Sequence, residues 1–238
     1  MIIFSEEPSE EKWQALEADI VVCQRCPRLV EWREKVARER RRAYRSEIYW
    51  GKPVPGFGDH KARILVVGLA PGAHGSNRTG RMFTGDASGV FLYAALNRAG
   101  FANQPESLNR GDGLALQEMF ITAVCRCAPP DNKPEKTEIT NCQPYLLAEM
   151  DLLKHCQGVV ALGKLAFDRL IAIYRSQGHG FPPANFGHGA FYLLPDGLPW
   201  LLASYHPSQQ NTQTGRLTVM MFDQIWDQAR KMLTNRPK

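Results

Sequence analysis

The chain has 238 residues, 44% of them hydrophobic and 22% charged, with a formal net charge of +5. That is enough for one sizeable core but not comfortably for two, and no apolar run approaches the roughly eighteen residues of a membrane helix. The opening Met1-Ile-Ile-Phe-Ser-Glu-Glu has neither a basic start nor a long apolar stretch, so no secretory signal is expected and the chain reads as cytoplasmic, a setting that turns cysteine clusters toward metal rather than disulfides.

Residues 9–22 carry Trp13, Leu16 and Ile20 at helical spacing. Cys26-Pro27 ends that helix, and 29–45 reads as a second one, dense in arginine through Arg40-Arg41-Arg42 with Glu31, Glu34 and Glu39 interleaved. A solvated face and a phosphate-contacting face both fit this pattern. Residues 49–60, with Pro53, Pro55 and three glycines, form a loop. An apolar strand is expected over 63–68, then a helix over 88–99 closed by Gly100. A second strand follows at 119–124, a helix at 136–153, a third strand at 158–163 and a helix at 164–174. A Gly/Pro/His loop (178–189), a fourth strand (200–204) and a closing helix (217–233) complete the order.

Short apolar strands alternating with helices indicate an α/β fold with a four-stranded parallel sheet. Such sheets bind ligands beyond the carboxyl ends of their strands. Three unusual loops are expected at that edge, at 69–86, 125–133 and 205–215.

The cysteines fall into pairs. Cys23-Gln-Arg-Cys26 opens the fold; Cys127-Ala-Pro-Pro and, after fourteen intervening residues, Cys142-Gln-Pro-Tyr follow the second strand. Four thiolates suit either a structural zinc or an iron–sulfur cluster, and ligand count does not separate them. Cys125 alternates away from Cys127 along a strand-like run, and Cys156 precedes an apolar strand; both read as core thiols.

The chain resembles the uracil-DNA glycosylase superfamily, and within it the iron–sulfur type-b (family 5) group. The resemblance runs from about Val22 to Met232. It is carried by Cys23-Gln-Arg-Cys-Pro-Arg-Leu-Val, Gly68-Leu-Ala-Pro-Gly72, Arg81-Met-Phe-Thr-Gly-Asp-Ala-Ser-Gly89, Cys127-Ala-Pro-Pro-Asp-Asn-Lys-Pro134, Ala161-Leu-Gly163, Ser204-Tyr-His-Pro and Gln210-Asn-Thr-Gln-Thr-Gly-Arg-Leu217. It implies one domain over 1–238, with 1–60 as a helical extension bearing the first cysteine pair. It also implies three layers, α/β/α, and a structural [4Fe–4S] cluster on Cys23, Cys26, Cys127 and Cys142. The activity implied is monofunctional excision of uracil and other deaminated bases, hypoxanthine and xanthine among them. The substrate would be double- and single-stranded DNA, and the enzyme a monomer. Two positions depart from the related family-4 pattern. Leu69 replaces a glutamate and Ala123 replaces an asparagine that reads uracil, so strict uracil specificity is not expected.

Cleaving an N-glycosidic bond leaves a sugar with cationic character and a base anion, and the base must first leave the stack. Asp86, on its own residue type, is a helix cap; the resemblance makes it electrostatic support for the cation and a positioner of water. Asn132 is otherwise a turn residue, and His206 otherwise a structural histidine. The resemblance makes Asn132 a polar positioning group and His206 a donor to the base oxygen. Phe83 becomes the ring stacked on the flipped base. Gly68, Leu69, Ala70, Gly72 and Ala123 complete the base-binding set, the glycines through close backbone approach. Gln210, Asn211, Thr214 and Arg216 belong to the loop expected to enter the duplex. Two competing functions remain. One is a non-catalytic iron–sulfur module that binds nucleic acid or senses redox state. The other is a zinc-stapled α/β hydrolase.

Overall fold

The computed structural model describes residues 8–179 and 183–234. Its strands are β1 (Phe57–Gly58), β2 (Ile64–Gly68), β3 (Met119–Ala123), β4 (Gly158–Leu162), β5 (Phe191–Tyr192) and β6 (Trp200–Ser204). They form one sheet in the order β1-β3-β2-β4-β6-β5. The four central strands are parallel, as expected, but β1 and β5 add antiparallel edges to β3 and β6. The sheet is therefore six-stranded and mixed. Two-residue strands are too short to show any alternation, which is why the sequence pattern misses them.

The helices are α1 (Glu10–Val21), α2 (Pro27–Glu39), α3 (Ser76–Thr79), α4 (Ala87–Arg98), α5 (Lys136–Leu152), α6 (Lys164–Ser176), α7 (Gln209–Gln213) and α8 (Val219–Thr234). Strand side chains alternate between the two faces. Ile64, Val66, Ile121, Val160 and Leu202 pack with Leu92 and Leu96 of α4 and Phe222, Ile225 and Trp226 of α8. Leu65, Val67, Phe120, Val159 and Leu201 pack with Trp13 and Ile20 of α1, Leu146 of α5 and Phe167 and Leu170 of α6. The sheet is thus sandwiched between helical layers.

Two helical expectations need correction. The second helix stops at Glu39, because Arg40 adopts a left-handed φ of 52° and turns the chain away. The arginines after it stand off the helix, with only a single 3-10 turn at Arg42–Tyr44. The loop expected at 205–215 contains a short helix, α7, whose N-cap Ser208 accepts the Asn211 amide N–H. The 178–189 loop includes residues 180–182, which lie outside the described set.

Candidate active site

From β2 the chain crosses to β3 on one side, then to β4 on the other. That reversal creates a crevice beyond the carboxyl ends of the strands. A cavity of about 630 Å³ lies there. Its walls come from the loop after β2 (Leu69, Ala70, Gly72, His74, Gly75), the motif around Phe83 and Asp86, the end of β3 with its loop (Ala123, Asp131, Asn132), and the turn from β6 into α7 (His206, Ser208, Gln210). Asp86, Asn132 and His206, far apart in sequence, therefore face one space.

Asp86 is both cap and cavity wall. One carboxylate oxygen accepts the Gly89 amide N–H at 3.0 Å and starts α4. The other lies against the backbone of the β2 loop: a Cβ on Gly72 would sit 2.9 Å from it, and one on Gly75 would overlap it. These two glycines let the loop close over the carboxylate. Burial pushes the Asp86 pKa up, against the N–H groups of Gly89 and Ser88 and the Arg78 charge.

His206 is half-buried, and desolvation pushes its pKa down to about 4. The imidazole is therefore neutral at pH 7 and carries a single N–H. It has no hydrogen-bond partner among the described residues and leans on the Phe83 ring, 5.7 Å between centroids. Asn132 is exposed at the rim, and its side-chain amide is likewise unengaged. Asp131 and Asn132 both take left-handed φ values, 52° and 56°. Asp and Asn tolerate that region better than most residues.

Phe83 holds a left-handed φ of 51°, unusual for an aromatic residue. Its surroundings fix it there. A Cβ on Gly89 would overlap the Phe83 carbonyl, Ser107 Oγ donates to that carbonyl at 3.3 Å, and Tyr93 Oη donates to the Met82 carbonyl at 2.8 Å. A Cβ on Gly68 would sit 2.9 Å from the ring edge. Gly68 is absent from the cavity lining, and its carbonyl accepts the Val124 N–H. Its absent side chain makes room for the Phe83 ring.

Of the α7 residues, Gln209 and Gln210 line the cavity. Asn211 spends its amide on the His206 carbonyl at 2.8 Å, so it holds the turn in place. Thr214 is exposed, with its hydroxyl on the Gln210 carbonyl at 2.7 Å. Arg216 stacks over Tyr205 at 4.7 Å and, with Leu69 and His206, lines an adjoining groove of about 290 Å³.

Sequence reasoning left His74 without a role, and the structure places it in the cavity wall. Its Nδ1 lies 3.1 Å from Tyr49 Oη. Burial and the charges of Arg41 and Arg78 push its pKa down. A partner twenty-five residues away gives no local signal. His188 is structural instead: its Nδ1 accepts the Tyr205 N–H and its Nε2 faces the Met221 carbonyl, both at 3.1 Å. His179 sits 3.4 Å from the Asp196 carboxylate, away from this cavity.

Away from the cavity, Cys23, Cys26, Cys127 and Cys142 line one small enclosed void between α2 and α5, together with Arg33 and Arg126. Among the described residues no three His, Cys, Asp or Glu side chains are grouped tightly enough to hold a single ion. Donors nonetheless aim at the sulfurs. Arg33 Nη1 reaches Cys127 Sγ at 3.0 Å, the Arg126 amide reaches Cys142 Sγ at 3.3 Å, and Asn141 Nδ2 reaches Cys26 Sγ at 3.5 Å. A hydrogen bond from the Cys125 thiol holds the Cys142 pKa below its ordinary value. Burial raises the Cys127 thiol to about 12. Cys156 is also pushed up to about 12 by burial, and its thiol donates to the Gly158 carbonyl, remote from this void.

The family model of the uracil DNA glycosylase superfamily matches residues 55–230. The chain belongs to that superfamily. A type-5 uracil-DNA glycosylase of Thermus thermophilus is 52% identical over 219 residues, covering 92% of this chain and 97% of the relative. Its counterpart from Mycobacterium tuberculosis is 51% identical, covering 91% and 80%. A type-5 enzyme of Pyrobaculum aerophilum is 45% identical, covering 88% of each chain. A type-4 enzyme of the same organism is 36% identical over about half of each chain. Within the superfamily, then, similarity to the type-5 enzymes extends further along the chain than similarity to this type-4 enzyme.

Proposed function

We propose that this protein is a monofunctional DNA glycosylase that excises uracil from DNA and so opens base-excision repair. The carrying observation is the cavity at the sheet's switch point, where a half-buried carboxylate, a neutral imidazole and an unengaged carboxamide face one aromatic platform. In this reading the flipped base lies on Phe83. His206 donates its N–H to a base carbonyl and stabilises the anion that forms as the bond breaks. A neutral imidazole suits that task, since it adds a donor without transferring a proton at the outset. Asp86 faces the cationic sugar and, with Asn132, positions the attacking water. Leu69 and Ala123 put no hydrogen-bonding side chain in the wall, so neither tests the polar edge of the base. Sites built on hydrogen bonds reject analogues strongly; this one is expected to accept hypoxanthine and xanthine as well. Lys133 is exposed, and Lys164 is largely exposed and paired with Asp168 at 2.5 Å. Neither is desolvated as a Schiff-base lysine would be, which supports a hydrolase without lyase activity. We take the enzyme to act as a cytoplasmic monomer, folded as one domain, on double- and single-stranded DNA.

Cys23, Cys26, Cys127 and Cys142 would hold a [4Fe–4S] cluster. Support comes from two buried guanidinium groups at the void: Arg33 Nε and Arg126 Nε have no hydrogen-bond partner. Orphaned buried donors are costly, and anionic sulfur is the acceptor they lack. When bound, the cluster would supply a covalent staple between α2 and α5. The bidentate Arg28–Glu138 pair already ties those helices at 2.8 and 2.7 Å.

The test is incubation of purified protein with a duplex carrying one uracil, followed by alkali. A strand break at the uracil is expected, with none before alkali. An intact strand at high enzyme excess refutes the proposal. A hypoxanthine duplex left uncut while uracil is removed refutes the broader substrate range.

A further inference from the structure

The arginine-rich segment after α2 is not explained by the cavity or by the cysteines. Arg41, Arg42 and Arg45 are exposed, and among the described residues their side chains have neither an ion-pair nor a hydrogen-bond partner. The neighbouring carboxylates are engaged elsewhere. Glu39 lies 4.0 Å from Lys35, Glu34 lies 3.9 Å from Arg33, and Glu47 pairs with Arg78. A merely solvated helix face carries its counter-charges at i,i+4, as Lys35–Glu39 does on α2. The segment beyond Arg40 is off the helix and keeps its positive charge.

That charge is fastened to the cavity wall. The Arg41 amide donates to Tyr49 Oη at 3.4 Å, and the same hydroxyl contacts His74 Nδ1. The Trp50 amide donates to the Arg78 carbonyl at 2.8 Å, and the Gly51 amide to the Asn77 carbonyl at 3.0 Å. The Arg78 guanidinium stacks on the Tyr44 ring at 4.0 Å. His74 and Ser76, on either side of these contacts, line the cavity. The arm is thus docked against the loop that packs on Asp86, with Arg41 close enough to His74 in the cavity wall to act on its charge.

Building on the glycosylase reading, we propose that residues 40–48 form a phosphate-binding arm. Arg41, Arg42 and Arg45 grip the DNA backbone beside the nucleotide held in the cavity. Charge complementarity decides the partner. Three uncompensated guanidiniums suit phosphodiesters, each of which releases condensed counterions when neutralised.

The experiment compares wild type with the triple variant Arg41→Gln/Arg42→Gln/Arg45→Gln. Binding to a duplex containing a tetrahydrofuran abasic analogue is measured from about 50 to about 200 mM salt, the range over which phosphate contacts dominate. The slope of log affinity against log salt should shrink by about one per arginine removed. Affinity near physiological salt should fall about tenfold or more. The rate of uracil release at saturating enzyme should stay unchanged. An unaltered slope overturns the arm, whether or not affinity falls, because the lost contacts would not be to phosphate. Failure of the wild type itself to release uracil is a separate result: it refutes the glycosylase reading, while the salt slope still judges the arm.

Discussion

The base cavity and the cysteine void are both built from loops that meet at helix ends, yet they treat polar groups in opposite ways. In the cavity the His206 ring and the Asn132 amide have no partner among the described residues, and Asp86 engages one oxygen and leaves the other at the wall. Around the cysteines, N–H groups of Arg33, Arg126 and Asn141 already point at sulfur. Unengaged polar groups on a preset frame mark chemistry still to come; donors converging on one kind of atom mark architecture.

The sharpest way to break this contrast is to remove a ligand. Cys23→Ala or Cys142→Ala should abolish iron incorporation and most soluble yield, since metal binding and folding are linked in small metal sites. Cys156→Ala should change neither, because its thiol donates to the Gly158 carbonyl, away from the cysteine void. Full iron content in Cys142→Ala protein would remove that residue from the set.

On the cavity side, His206→Ala should slow single-turnover uracil release about a hundredfold, the usual cost of losing one preorganised donor. DNA affinity should change little. A similar loss is expected from Gly75→Ala, whose new methyl group must displace the Asp86 carboxylate. A Gly75→Ala enzyme at full speed would mean that the carboxylate's position is unimportant.

A smaller effect separates the two duties of Asp86. Asp86→Ala should cost about 1 kcal/mol of stability through the lost cap. Asp86→Asn should keep the cap and melting temperature but lose rate. If Asp86→Asn retains full rate, the residue is a cap and nothing more.

The last prediction concerns pH dependence. His206 has a folded-state pKa of about 4 against an ordinary 6.5. Between those values the unfolded chain holds more protons than the folded one, so stability rises with pH across that window. Melting temperature should therefore decline on acidification from about pH 6.5 toward 4, and His206→Asn should decline less. A parallel decline in both proteins would place the acid sensitivity elsewhere.

Much of this arrangement could be read from the chain. Four apolar runs between helices specify the parallel centre of the sheet, and the three polar residues after three different strands do converge on one cavity. What escaped the sequence depends on partners distant along the chain. Gly75 matters because of Asp86, His74 because of Tyr49, and Gly68 because of a ring fifteen positions later. Asn211 looks like a solvent-facing loop residue until its amide is found on the His206 carbonyl. The end of α2 at Glu39 has no breaker residue to announce it; Arg40 simply turns into the left-handed region.

The strained backbone at Phe83 has one more consequence. Hydrogen bonds from Ser107 and Tyr93 hold its backbone, and the edge of its ring lies against Gly68. A fixed flat surface gauges the thickness of what is laid on it, not its length or its edge. Purines and pyrimidines are equally thin and differ mainly in outline, and in the glycosylase reading the part of that outline facing Leu69 and Ala123 would meet no polar side-chain atom that could be left unsatisfied. Such a slot sorts planar from puckered rings, such as a base saturated across its double bond, more sharply than it sorts one planar base from another.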